Sequence, residues 1–86
     1  MESPIRRIRR NLGLTQRDLA FVCGLASGSL ICEVETGARP ISGALAELLK
    51  RAHFDLDEIL REQEAFMSEK KAEVMAMLIA EAKKSS

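Results

Sequence analysis

Residues 12–40 read LGLTQRDLAFVCGLASGSLICEVETGARP. Thr15, followed three residues later by Asp18, resembles a capping box in which Asp stands where Glu or Gln is usual, so a short helix should begin at Gln16. Leu19, Ala20 and Val22 give that helix an inward side. Gly24 breaks it, at a turn position that suits a positive φ. Ser27 is the candidate cap of the next helix, which should stop at Thr36-Gly37 with Pro40 just beyond. Two short helices joined across Gly24 make a candidate helix-turn-helix.

The same punctuation extends to both sides. Ser3 can cap a first helix, with Pro4 where a missing N–H costs nothing. Ile5, Ile8 and Leu12 recur at spacings of three and four, opposite Arg6, Arg7, Arg9 and Arg10, and Gly13 supplies the stop. Downstream, Ser42 starts a fourth helix with Leu45, Leu48 and Leu49 inward. His53 falls near its end, where a cationic ring favours the helix dipole. Asp55 caps a fifth helix that buries Leu56, Ile59 and Leu60. Residues 66–82 continue the helical pattern with Phe66, Met67, Val74, Met75, Met77, Leu78 and Ile79 among charges, and Ser68 is a candidate cap for a separate segment. No strand pattern occurs. The expected fold is all-α: five short helices plus a C-terminal helix, divided as 1–64 and 65–86.

Composition narrows the function. The 86 residues carry 13 basic and 13 acidic side chains, so the formal charge is zero. The distribution is uneven: residues 1–40 hold six arginines against four carboxylates, which suits either an anionic partner or a solvated helix face. Without Trp or Tyr and with three Phe, a stacking surface for single strands is not expected. Cys23 and Cys32 form no disulfide framework and read as small packing residues; with one histidine there is no zinc spacing. No nucleophile–base pair and no Gly-rich phosphate loop is visible, so neither catalysis nor a cofactor or metal is expected. No apolar run reaches membrane-span length and no signal pattern opens the chain, which points to a cytoplasmic protein.

The order of elements resembles the lambda-repressor-like, or xenobiotic-response-element, family of DNA-binding domains. IRRIRRNLGLTQRDLAFVCGL (5–25), LICEVETGARP (30–40) and the Phe54–Leu60 helix carry the likeness, over roughly residues 5–60. The resemblance implies a five-helix lambda-repressor-like fold whose third helix enters the major groove of double-stranded DNA. It implies phosphate contacts from Thr15 and Gln16 at the start of the second helix, with Arg17, Arg6, Arg10 and Arg39 as further phosphate ligands. Arg9 and Glu35 match the family's internal ion pair and are expected to be structural. The base-facing positions are Ser27, Gly28, Ser29, Leu30, Cys32 and Glu33. Ser29 suits any base, Leu30 a thymine methyl and Glu33 cytosine N4. The chain departs from the family in having few amide or cationic side chains there, and one extra residue, most simply Ala26, before the third helix.

Met67, Val74 and Met77 or Leu78 fall near a seven-residue rhythm over two heptads, and are the expected dimerisation residues. The implied function is a dimeric, sequence-specific transcriptional regulator, a repressor on an inverted-repeat operator. The alternative is a protein-interaction module on the same scaffold, antitoxin-like or an antirepressor partner, with a protein partner at the C-terminal helix.

Overall fold

A computed structural model describes residues 1–85. It is all-α, with five helices and no strand among the described residues: α1 (Pro4–Asn11), α2 (Gln16–Val22), α3 (Ser29–Glu35), α4 (Gly43–Arg51) and α5 (Leu56–Ser85).

Each helix begins where a side chain can satisfy one of its first free N–H groups, and only in α3 does that side chain, Ser27, precede the N-cap residue. Ser3 Oγ accepts from the Ile5 N–H at 3.2 Å. Thr15 and Asp18 bond reciprocally, at 3.0 and 2.9 Å. Ser42 Oγ accepts from Leu45 N–H at 3.3 Å, and Asp55 Oδ1 from Glu58 N–H at 3.2 Å. Each such cap contributes about 1 kcal/mol. Ser27, the expected cap of α3, lies one residue too early. Gly28 is the N-cap and makes no side-chain cap bond, while Ser27 Oγ sits 3.4 Å from the Ser29 nitrogen. A Cβ on Gly28 would stand in ordinary contact with Gln16 Cβ, at 3.4 Å, so α3 starts beside the first turn of α2.

Four helices stop by the same device. After α1, Gly13 N–H donates to Arg10 O and Leu14 N–H to Arg9 O. Gly24-Leu25, Gly37-Ala38 and His53-Phe54 repeat this pair of bonds after α2, α3 and α4. The pattern needs a left-handed residue, which glycine supplies without steric cost. His53 supplies it with φ 66° and is the one non-glycine residue in that region among those described. It therefore marks a helix end as expected, but as a strained stop.

The core is Ile5, Leu19, Ala20, Ile31, Val34, Leu45, Leu49 and Ile59. Ala20 is buried where α2 and α3 meet, and a larger side chain there would overpack by about 1–3 kcal/mol. Three residues expected inside are exposed: Leu12, Val22 and Leu60. The helices are short, so the core takes only one or two residues from each stripe.

The C-terminal region differs from expectation. The fifth helix and the C-terminal helix are one helix of 30 residues. Ser68 caps nothing and lies exposed within it. No Gly or Pro follows Gly43, so no residue breaks the backbone. The first half is docked: Ile59, Gln63 and Phe66 are buried. Arg7 also donates to Glu62 at 2.7 Å, joining α1 to α5, and that bond raises the Arg7 pKa. Beyond Met67 every described residue is exposed, and the molecule measures 52 × 26 × 22 Å.

Candidate nucleic-acid interface

α3 is held in place from three sides. Arg9 on α1 grips Glu35, the last residue of α3, through two bonds, Nε–Oε2 at 2.7 Å and Nη2–Oε1 at 2.9 Å. Its third donor, Nη1, bonds the Leu14 carbonyl at 2.8 Å. The side chains are 15% and 3% exposed, so the pair is largely removed from water. The bond to Glu35 raises the Arg9 pKa. Gln16 Nε2 approaches Glu35 Oε1 at 3.4 Å, which ties the first residue of α2 to the same carboxylate. Arg9 is thus committed through all three of its nitrogens to Glu35 and Leu14.

Gln63 is the second hold. Its Nε2 donates to the Val34 carbonyl at 2.9 Å and the Arg39 carbonyl at 3.3 Å. Its Oε1 accepts from Ser3 Oγ at 3.2 Å, so one buried amide joins α5, the end of α3, the following loop and the cap of α1. Phe66, a turn later, is the third. A Cβ on Gly37 would come within 3.3 Å of its ring, so that stop is packed directly on α5. Neither residue was among the expected functional positions. The available signal was their i, i+4 and i, i+7 spacing from Ile59 on one face.

The outer side of α3 is largely bare, apart from Leu30, which packs against the core. Ser29 and Cys32 are exposed, Leu30 and Glu33 half-buried, and Gly28 is half-buried against Gln16. Ser27 is exposed, its hydroxyl 3.2 Å from that of Ser29. Cys23 is half-buried, and burial raises its pKa. No group of three or more potential metal ligands occurs among the described residues.

The expected phosphate ligands surround α3 at its two ends. Thr15, Gln16 and Arg17 form the first turn of α2, beside the start of α3. Arg6 and Arg10 border a shallow depression shared with Glu35 and Thr36, at the end of α3. Both face Glu2, at 3.9 and 3.1 Å. Arg39 pairs with Glu33 at 2.7 Å. Arg17 is exposed and makes no ion pair among the described residues. The expected dimerisation residues lie apart from this surface, on the projecting half of α5: Met67 half-buried, Val74, Met77 and Leu78 exposed.

No protein-family model matches the chain, and no curated protein or solved structure does. No helix is long and apolar enough to cross a membrane.

Proposed function

We propose that this chain is a sequence-specific, double-stranded DNA-binding transcriptional regulator of the lambda-repressor-like kind, working as a dimer on an inverted repeat and in the simplest case as a repressor. One observation carries the reading: the C-terminal end of α3 is held by Arg9, Gln63 and the Gly37–Phe66 contact, while Ser29, Cys32 and Glu33 on its outer side take no part in the core. A seven-residue helix is about 10 Å long and enters a major groove about 12 Å wide. Thr15, Gln16 and Arg17 then meet phosphate beside its first turn, where the free N–H groups of α2 favour an anion. Ser29, Leu30, Cys32 and Glu33 face base edges. Glu33 neutralises Arg39 in the free protein. An exchange of Glu33 from Arg39 to cytosine N4 would release Arg39 for phosphate, linking readout to affinity.

The test is selection from a random duplex pool at two salt concentrations, with sequencing of the bound fraction. The expected outcome is an enriched inverted repeat bound with salt-sensitive affinity. No enrichment and no binding at low salt removes the reading. A protein-interaction module on the same scaffold is then favoured, and the Glu33–Arg39 pair, which lowers the positive potential beside α3, already points that way.

A further inference from the structure

A groove of about 880 Å³ runs between the loop after α3 and one side of α5. Pro40 and Ile41 wall one side of it. Leu60, Met67, Val74 and Leu78 recur along the other, at spacings of seven, seven and four, with Met75 beside them. Three charged residues, Glu64, Lys70 and Lys71, interrupt this apolar side, and Glu64 and Lys71, seven residues apart, fall on the same face. Past Lys70, which lies beside Gly37, and Glu69, which faces the Met1 ammonium at 3.5 Å, no described bond from the body reaches this side of the helix, and its apolar residues stay exposed. The stripe needs a cover, and its charges constrain which one.

We infer that the cover is the same face of α5 from a second copy of this chain, lying antiparallel across a two-fold axis that passes between Met67 and Ser68. In that register Glu64 of each copy meets the partner's Lys71, and Leu60 meets the partner's Met75. The axis repeats both contacts, as an isologous interface requires. Met67 packs at the centre beside the partner's Met67. Other arrangements lose the charge match. A parallel pair sets Lys71 beside the partner's Lys71, and so does an antiparallel pair centred on Lys71; both bring like charges together in an apolar seam. This inference rests on the dimeric form of the regulator proposed above and specifies how its copies meet.

The experiment is the solution mass of the full chain by sedimentation over a range of concentrations, for the wild type, Glu64→Lys, Lys71→Glu and the double reversal. Both positions are exposed, so the reversals should leave the packing of the body, read by its urea midpoint at low concentration, unchanged. Each single reversal creates two like-charge contacts and should weaken the dimer by about tenfold or more, while the double reversal restores it. Orientation is read from disulfides in a Cys23→Ser, Cys32→Ser background. Leu60→Cys with Met75→Cys should cross-link readily, and Leu60→Cys alone should not. A chain monomeric at every concentration, a dimer indifferent to the reversals, or efficient cross-linking by Leu60→Cys alone overturns the inference. Duplex titration of the same variants separates the two claims. DNA binding by a monomer leaves the regulator standing without this interface, and a charge-sensitive dimer that ignores DNA does the reverse.

Discussion

The two halves of α5 share one helix and no break, yet they behave as different objects. Residues 56–66 bury Ile59, Gln63 and Phe66 and bond three other parts of the chain, whereas residues 68–85 are exposed on every side. Helical pattern alone does not distinguish them. What differs is whether another element lies alongside, and α1 and α4 are too short to reach past the first half. The body therefore draws its stability from buried polar bonds as well as from its small apolar core. The projecting half takes little from the body, and the dimer proposed above would supply the rest.

That contrast can be broken at several points. The largest effect is expected at Arg9–Glu35: Arg9→Ala or Glu35→Ala strands a buried charge and should cost about 3–5 kcal/mol, read as a lower urea midpoint. Gln63→Leu is next. It leaves the Val34 and Arg39 carbonyls and the Ser3 hydroxyl short of partners, and should cost about 2–3 kcal/mol in the same assay. On the other side of the comparison, Met77→Ala in dilute solution should change stability by less than about 0.5 kcal/mol, because Met77 is 70% exposed. A loss comparable to that at Gln63 would show that the projecting half folds back. His53→Gly should raise stability by about 1 kcal/mol by relieving the left-handed strain.

The smallest effect concerns pH. The Thr15 backbone N–H, and then its hydroxyl, hold the Asp18 carboxylate below its ordinary pKa. A depressed folded-state pKa stabilises the native state above the unfolded value, and this contribution is lost as pH falls through the folded value. Asp18→Asn should therefore flatten the acid side of the stability profile slightly. The Asp18 side-chain resonance should titrate below the usual carboxylate range, and an ordinary midpoint would mean the capping box is not populated.

Caps and stops were legible in the sequence because they are local: Thr15 with Asp18, Ser3-Pro4, Ser42 and Gly13 act within a few residues. The all-α class followed from them. The lambda-repressor-like assignment rests instead on the resemblance and is part of the proposal. Gln63 was not legible, since its partners are carbonyls 29 and 24 residues away and a lone Gln on a helix carries no sign of them. The division of α5 was misjudged for a related reason. Ser68 is a good cap residue, but a serine does not stop a helix when no glycine or proline accompanies it. At the candidate interface, sequence spacing located the arginines but not their carboxylates. Glu2 lies four residues before Arg6 and was readable, whereas the Glu33–Arg39 contact depends on how the loop after α3 turns back.

The most direct test of the central claim, that α3 reads DNA from a fixed scaffold, is salt-dependent titration of Arg17→Ala and Glu33→Gln on the selected duplex and on single-base variants of it. The account predicts that Arg17→Ala weakens binding to all duplexes alike and lowers the slope of log affinity against log salt by about one. Glu33→Gln should instead change the preferred base at one position, by about 1–3 kcal/mol. Identical behaviour of both variants and the wild type, or a preference untouched at every α3 position, would contradict it.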